Sequence, residues 1–223
     1  MVDFQSRDTR RGIGDDDEDD EEEPEPEAEP DEPDDEAAPA KTDSPAEEPP
    51  AEAAAPTTDD GTTAYAVVTV TDERSLSEDT QGDVVVSAIE EGGGGIVTRD
   101  LVRPGYDGLQ TTITTLAGRR DVDVVVTIGG TGVEPDDVTV DALETLLDKH
   151  LSGFGELFRL LAHETEGTAV VGTRTTAGII ESTPVFAVPG TVEGARTAVS
   201  EVVVEEAPHL AEDAADQEPD SSS

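Results

Sequence analysis

A glycine-rich turn followed by two carboxylates is the part of this sequence best suited to chemistry. The turn is Gly129-Gly130-Thr131-Gly132, and Asp136 and Asp137 follow it closely. Glycines allow a backbone with positive φ and leave no Cβ between the chain and a ligand. Backbone N–H groups in such a turn can bind phosphate, and neighbouring carboxylates can bind Mg²⁺. The pattern therefore indicates a site for a phosphorylated ligand, although a tight turn with two acids at a helix start fits the same residues.

The turn is predicted to lie at the carboxyl end of a buried strand. Val122–Ile128 is rich in β-branched residues, which is typical of a strand buried on both faces. Val138–His150 carries apolar residues at helical spacing and predicts the next helix. Open α/β sheets bind ligands outside the carboxyl ends of their strands, so the position of the turn favours a ligand site.

Strands and helices alternate over the central part of the chain. The predicted strands are Ala64–Val70, Ile96–Leu101, Val122–Ile128, Thr168–Thr173, Thr176–Ile180 and Val185–Val188, the fourth and fifth being candidates for a hairpin. The predicted helices are Asp83–Glu91, Leu109–Leu116, Val138–His150, Phe154–His163 and Val192–Val204. This order predicts an α/β fold of three layers, with a mostly parallel central sheet and helices on both faces.

A second candidate for anion binding follows the last predicted strand. Pro189-Gly190-Thr191 precedes the last predicted helix, and Thr191 is a suitable N-cap residue. A capped surface helix accounts for the same residues. We prefer that interpretation unless the fold brings this turn beside the Gly129–Gly132 turn.

Charge and composition divide the chain into three parts. Residues 1–60 hold 25 acids, 4 bases and nine prolines, which predicts a disordered extension. Residues 61–210 have the composition of one globular domain, and residues 211–223 are predicted to be a disordered acidic tail. The domain itself carries 25 acids against 9 bases. Such an acidic surface predicts a halophilic source.

Several classes of function are excluded by composition and motif. The negative field argues against binding nucleic acid or an anionic membrane, and no cysteine is present for a disulfide or a thiolate metal site. A Walker A loop and a Gly-x-Ser-x-Gly nucleophile motif are both missing. The sequence contains no apolar leader and no segment of membrane-spanning length, so we expect a soluble, cytoplasmic protein.

The ordered set of motifs resembles the MoaB/Mog family of molybdenum cofactor biosynthesis proteins. Residues 127–142 are similar to the glycine-rich signature of the family, and residues 153–159 (GFGELFR) are similar to its next motif. Residues 172–178 (GTRTTAG) and Pro189-Gly190-Thr191 follow in family order and spacing. Upstream, Asp79-Thr80-Gln81-Gly82 resembles an Asp-Thr-Ser-Gly loop of the family. The resemblance covers residues 64–210.

This resemblance implies a molybdopterin-binding fold that assembles as trimers or hexamers. It implies that the protein uses Mg-ATP to adenylylate molybdopterin, releases pyrophosphate, and works alongside other molybdenum cofactor proteins. Asp137 matches the functional carboxylate of the family and is expected to hold Mg²⁺. The glycine turn, Arg174 and Pro189-Gly190-Thr191 are expected to bind substrate, while Asp79, Gly82 and Glu156 are secondary candidates for contacts with the nucleotide.

The sequence departs from the family pattern at three positions. Gly105 stands where adenylylating members commonly have an aspartate, with Asp107 two residues further on as a second candidate metal ligand. Gln81 and Thr173 both replace serine. The change at Gly105 keeps an alternative open, in which the chain is a non-catalytic molybdopterin-binding or scaffold subunit of the same pathway.

Structural roles also fit the secondary candidates. Asp79 is a suitable N-cap for the first helix, and Glu156 and Arg159 have the spacing of a surface ion pair. Arg174 is one of few cations in the domain and lies between two glycines, which favours a contact with phosphate.

Overall fold

A computed structural model describes residues 61–72 and 75–215 of the chain. Its strands are β1 (Ala64–Val70), β2 (Gly95–Val102), β3 (Val124–Ile128), β4 (Lys149–His150), β5 (Thr176–Ile180) and β6 (Thr183–Val188). Its α-helices are α1 (Thr80–Glu91), α2 (Tyr106–Ala117), α3 (Thr139–Glu144), α4 (Ser152–Glu166), α5 (Val192–Ala198) and α6 (Val204–Ala215). The predicted acidic extension, residues 1–60, lies outside the described residues.

The six strands form one mixed sheet in the order β2-β1-β3-β6-β5-β4. Strands β2, β1, β3 and β6 are mutually parallel, while β5 runs antiparallel to both β6 and β4. The prediction of an α/β fold with a mostly parallel sheet is confirmed. The order also brings the carboxyl ends of β1, β3 and β6 together at one edge, which is where the glycine turn begins.

Alternating side chains of the central strands form two cores. In β1, Tyr65 and Val67 contact helices α1, α4, α5 and α6 on one face, whereas Ala66 and Val68 contact α2 and α3 on the other. Both sets are almost completely buried, as the continuous apolar sequence of the strand requires. The layers are therefore helix, sheet and helix, as predicted.

The predicted helix Val138–His150 is wrong beyond its first half. Helix α3 ends at Glu144, where the Thr145 hydroxyl donates to the Ala142 carbonyl. The following residues pair with the edge of the sheet, and the Asp148 amide donates to the Ile179 carbonyl at 2.9 Å. The apolar residues have helical spacing, and a short helix followed by a turn also accommodates that spacing. Local periodicity does not show that the last residues of this segment pair with a distant strand.

The predicted strand Thr168–Thr173 is also wrong. Gly167–Gly172 is a 3-10 helix, which begins with a positive φ of 60° at Gly167. The hairpin joins β5 to β6 instead, and Glu181 in its turn has a φ of 55°. The β-branched residues of this segment favoured a strand. The positive φ of Gly167 instead turns the backbone into the 3-10 helix.

The C-terminal helix is longer than predicted. Helix α5 passes into a π-helical segment, Val199–Val203, and then into α6, which continues to Ala215. Ala214 is buried, so the ordered domain extends five residues past the predicted boundary at residue 210. The part of the tail from residue 216 lies outside the described residues. Within residues 61–72 and 75–215, every helix is too short or too polar to cross a lipid bilayer.

Candidate functional site

Two turns meet at the carboxyl edge of the sheet. The Gly129 amide donates to the carbonyl of Val188 in β6 at 3.0 Å, and Gly129 and Gly130 have positive φ angles of 93° and 65°. A Cβ built on Gly190 would lie 3.1 Å from the Gly129 Cα, so only glycine allows the two turns to approach this closely. The turn at Pro189-Gly190-Thr191 therefore lies beside the Gly129–Gly132 turn.

A cavity of about 390 Å³ opens over these turns. It is lined by residues from the ends of β1, β3 and β6 and from the loops that follow them: Thr69, Val70, Thr71, Gln81, Ile128, Gly129, Gly130, Glu134, Asp137 and Gly190. In the described part of the chain, the backbone amides of Gly130, Thr131 and Gly132 donate to no protein acceptor. Of these three residues Gly130 lines the cavity, so its amide is a backbone donor available to an anion there.

Asp137 lines this cavity, whereas the adjacent Asp136 is exposed and does not. Oδ2 of Asp137 accepts a hydrogen bond of 2.9 Å from the Glu134 amide, which fixes the side chain above the turn. A Cβ on Gly132 would collide with this carboxylate. The third glycine of the turn thus leaves room for the acid that the sequence singled out.

Arg174 holds the turn from outside the cavity. Its Nε donates to the Gly132 carbonyl at 2.7 Å, and its Nη2 donates to the Asp137 carbonyl. Nη1 bonds both carboxylate oxygens of Asp141, at 2.9 and 3.0 Å, and the Arg174 guanidinium lowers the pKa of that carboxyl. The Arg174 amide also donates to the Thr131 carbonyl at 2.7 Å. Most of its donors are thus engaged in shaping the turn, a role that sequence reasoning did not anticipate.

Asp79 is completely buried at the start of α1. Oδ1 accepts from the Gly82 amide at 2.9 Å, and Oδ2 accepts from the Thr69 hydroxyl at 2.7 Å and from Arg99 Nη2 at 3.0 Å. Burial acts to raise the pKa of Asp79, but the hydrogen bonds from Gly82, Thr69 and Arg99 outweigh it and lower the pKa. Both carboxylate oxygens are occupied, so the N-cap interpretation of Asp79 is confirmed.

Two further contacts fix the walls of the cavity. Gln81 Nε2 donates to the Gly190 carbonyl at 2.9 Å, which joins the start of α1 to the second turn. The Thr191 hydroxyl accepts from the Gly194 amide at 3.1 Å, as an N-cap does, and Pro189 is buried beneath it. Gly82 has no room for a side chain because a Cβ there would collide with the Asp79 carboxylate.

Glu156 lies in a second cavity, of about 440 Å³, on the far side of the Arg174 contacts. Its lining residues come from α3, α4 and the segment before β5: Val140, Glu144, Leu151, Ser152, Gly155, Glu156, Arg159, Val171, Thr173, Arg174, Thr175 and Thr176. Arg174 thus borders this cavity while its donors hold the turn that forms the first.

Asp107 is separate from both cavities. It is exposed in the first turn of α2, after Gly105 as the N-cap residue, and lines neither space. The described residues contain no group of three or more histidine, aspartate or glutamate side chains arranged to hold a metal ion. Asp107, the second candidate metal ligand, therefore does not line the cavity that Asp137 lines.

Thr69 and Glu134 were missed by sequence reasoning although both line the cavity. Thr69 was predicted as part of a buried strand, and only the fold shows that its hydroxyl donates to Asp79. Glu134 follows the glycine turn, so its proximity to Asp137 could have been anticipated.

Comparisons with known proteins agree with this geometry. Residues 66–209 match the family model described as "Probable molybdopterin binding domain". The chain is 38% identical over 147 residues to molybdenum cofactor biosynthesis protein B of Bacillus subtilis (strain 168), which covers 65% of this chain and 85% of the relative. It is 33% identical over 141 residues to the protein of the same name from Escherichia coli (strain K12), covering 63% and 83% of the two chains.

Solved structures give the same result. A crystal structure of a molybdenum cofactor biosynthesis protein B superposes with a TM-score of 0.68 at 30% identity, covering 70% of this chain and 98% of the other. The tungsten cofactor synthesizing protein MoaB from Pyrococcus furiosus superposes with a TM-score of 0.59 at 34% identity, covering 69% and 97%. The chain therefore belongs to the MoaB/Mog family of molybdenum cofactor biosynthesis proteins.

Proposed function

We propose that the protein adenylylates molybdopterin with Mg-ATP and releases pyrophosphate, preparing the pterin for metal insertion. The observation that carries this proposal is the cavity of about 390 Å³, which is lined by both Asp137 and Gly130, whose backbone amide has no protein acceptor among the described residues. Donors of this kind suit a phosphate group, and membership of a molybdenum cofactor family supports molybdopterin as the phosphorylated ligand.

The reaction requires positioning more than activation by a side chain. A terminal phosphate oxygen of molybdopterin attacks the α-phosphorus of ATP. The new O–P bond forms as the bond from the α-phosphorus to the bridging oxygen breaks, and that oxygen leaves with pyrophosphate. A phosphate monoester has its second pKa near 6, so the nucleophile is already anionic near pH 7 without a general base. The residues need only hold two polyanions together in line.

Charge is the main obstacle in this cavity, because its charged lining residues are Glu134 and Asp137. Oδ1 of Asp137 accepts no hydrogen bond from the described protein donors, which leaves a carboxylate oxygen for a cation. Mg²⁺ is commonly held by one or two carboxylates together with substrate phosphates, so Asp137 would hold the ion and Glu134, which lines the same cavity, would be a second ligand. When bound, Mg²⁺ would neutralise charge on the phosphates.

Two polar side chains keep the cavity in shape during this reaction. Arg174 holds the carbonyls of Gly132 and Asp137, so the free amides of the turn keep their orientation. Gln81 holds the Gly190 carbonyl and thereby keeps the two turns in contact. Preorganised donors of this kind cost little reorganisation when charge is transferred.

A non-catalytic molybdopterin-binding subunit is the second candidate. It is favoured by Gly105 at the usual carboxylate position and by Asp107, which lies outside the cavity. Release of pyrophosphate from Mg-ATP in the presence of molybdopterin separates the two functions. A purified protein that binds molybdopterin but releases no pyrophosphate would support the binding subunit.

Substitution of Asp137 by asparagine tests the proposed site. Asp137→Asn keeps the size of the side chain and the hydrogen bond from Glu134 but removes the charge. We expect pyrophosphate release to fall by about 10²-fold or more, because charge neutralisation is the main catalytic contribution here. Stability should change by less than about 1 kcal/mol.

The matched control is Asp136→Asn, since Asp136 is the adjacent carboxylate and does not line the cavity. Its pyrophosphate release should match that of the parent protein. An Asp137→Asn protein as active as its parent would move the proposed metal ligand away from this position.

A further inference from the structure

Thr139 is a buried polar residue beneath the glycine turn with no hydrogen bond from its hydroxyl. It is the first residue of α3 and is fully buried, yet Oγ1 has no partner among the described residues. A buried hydroxyl without a partner destabilises the folded state, so folded proteins rarely leave one without a reason.

Other buried threonines of the sheet do not share this feature. The hydroxyls of Thr69, Thr127 and Thr183 donate to the Asp79 carboxylate, the Phe186 carbonyl and the Ala117 carbonyl respectively. The fold therefore satisfies buried threonine hydroxyls elsewhere in the same sheet. Two buried threonine hydroxyls among the described residues have no partner, those of Thr139 and Thr175. Thr175 lines the second cavity, whereas Thr139 touches the glycine turn of the candidate phosphate site.

The Thr139 hydroxyl is in direct contact with the turn. A Cβ built on Gly130 would collide with Oγ1, and the Thr139 amide donates to the Gly130 carbonyl at 3.0 Å. Gly130 and Gly129 both have positive φ, and glycine moves readily between conformations of either sign. The backbone groups closest to this hydroxyl therefore belong to the residues best able to change conformation when a ligand binds.

We propose that Thr139 is a positioning residue whose hydroxyl gains a hydrogen-bond partner from the turn backbone when a phosphate group binds there. This inference rests on the proposed function and adds a residue through which binding is coupled to the shape of the turn. In the ligand-free chain the unpartnered hydroxyl lowers the stability of the fold. In the complex, a small shift of the turn backbone around the phosphate brings a backbone group within reach of Oγ1, while the Thr139 amide keeps its bond to the Gly130 carbonyl.

This coupling predicts effects of opposite sign in one variant. Thr139→Val replaces the hydroxyl by a methyl group of similar size, so it removes the unsatisfied group from the free protein and the hydrogen bond from the complex. We expect the melting temperature of the ligand-free full chain to rise by a few degrees. We expect the Kd for Mg-ATP, measured by titration calorimetry without molybdopterin, to rise roughly three- to tenfold.

Two control variants identify the hydroxyl as the cause. Thr139→Ser keeps the hydroxyl and should keep the Kd within about twofold of the parent protein. Thr183→Val removes a buried hydroxyl that has a partner, so it should lower the melting temperature and leave Mg-ATP binding unchanged.

Three results would overturn the inference. A lower melting temperature for Thr139→Val would mean that the hydroxyl is already satisfied in the free protein. A higher melting temperature with an unchanged Kd would make the unpartnered hydroxyl a packing defect without function. Equal weakening in Thr139→Ser and Thr139→Val would assign the effect to the lost methyl contact. If the parent protein itself binds no Mg-ATP, the proposed function fails together with the inference. If the parent protein binds Mg-ATP and Thr139→Val binds it equally well, only the inference fails.

Discussion

At the scale of single residues, Asp79 connects the stability of the domain to the shape of its cavity. Its carboxylate bonds the hydroxyl of Thr69, which lines the cavity, and caps the helix that carries Gln81. Arg99 joins Asp79 to Asp83 at 3.0 and 2.7 Å. This network is buried at one end, and both oxygens of the Asp79 carboxylate are hydrogen-bonded, so Asp79, Thr69 and Arg99 fix one another's orientation and give a rigid wall.

The lowered pKa of Asp79 predicts how this network responds to acid. A carboxyl whose pKa is lower in the folded protein contributes stability above its unfolded pKa, about 3.9, and loses it as the pH falls through the folded value. Asp79→Asn should cost about 2–4 kcal/mol at pH 7, because Arg99 loses its buried partner. The difference in unfolding free energy between the parent and Asp79→Asn should shrink as the pH falls below about 4.

Asp83→Asn is the control for this prediction. Asp83 bonds the same arginine, but its side chain is 63% exposed. An exposed ion pair contributes under about 1 kcal/mol, so this variant should remain close to the parent at all pH values. Equal losses for the two variants in urea titrations would contradict a special role of the buried carboxylate.

The roles predicted from sequence involve residues that are close together in the chain. The role that was missed, that of Arg174, involves partners that are far away in the chain. Gly129, Gly130 and Asp137 were predicted because the turn and its acid are adjacent in the chain. The role of Arg174 was not, because its partners Gly132 and Asp137 are separated from it by 42 and 37 positions. A lone arginine between glycines indicates a binding role, and only the fold reveals that protein carbonyls already occupy most of its donors.

At the scale of elements, local periodicity predicted β1, β2, β3, β5 and β6 but not the edge strand β4. Strand β1 was predicted with its observed bounds because its entire sequence is apolar or β-branched. Strand β4 has two residues and exists through its pairing with β5. Gly178 permits this pairing, since a Cβ there would collide with the Lys149 carbonyl. No local signal encodes such a contact.

The end of α6 gives a test at this scale. Ala214 is buried and Ala211 packs against the larger core, so the last five residues of the helix belong to the domain. A chain that ends at residue 210 should lose about 1–2 kcal/mol of unfolding free energy through exposed apolar surface and a frayed helix end. A chain that ends at residue 215 should retain the stability of the full protein.

Both truncations also remove acids, so their unfolding should be compared in concentrated KCl, where repulsion between carboxylates is screened. Equal stability of the two truncated chains would mean that residues 211–215 contribute no packing energy.

At the scale of the whole molecule, the family resemblance predicts a trimer or a dimer of trimers. Helix α4 presents Leu157 and Leu160 with exposed fractions of 42% and 72%, and association would remove apolar surface of this kind from water. We expect light scattering in concentrated salt to give three or six copies at micromolar concentration. A monomer under these conditions would contradict the prediction.

Net charge predicts the dependence of the fold on salt. Residues 61–210 carry 25 acids and 9 bases, and Arg99, Arg119 and Arg174 are among the bases that form ion pairs. Most carboxylates therefore repel one another without a partner. Raising the salt from about 0.1 M to multi-molar KCl shortens the screening length from roughly 10 Å to below about 3 Å. Screening weakens the few attractive pairs as well, but the many repulsive pairs dominate.

We therefore expect the unfolding free energy, measured by urea titration at each salt concentration, to rise steadily with KCl. A variant that lacks residues 1–58 serves as the control, because it removes an acidic segment while keeping the charge of the domain. If the repulsion lies within the domain, the shortened protein should show nearly the same dependence on salt. If the dependence of the unfolding free energy on salt disappears when the segment is removed, the effect belongs to residues 1–58. Equal stability of the full chain at low and high salt would contradict a halophilic adaptation of the domain.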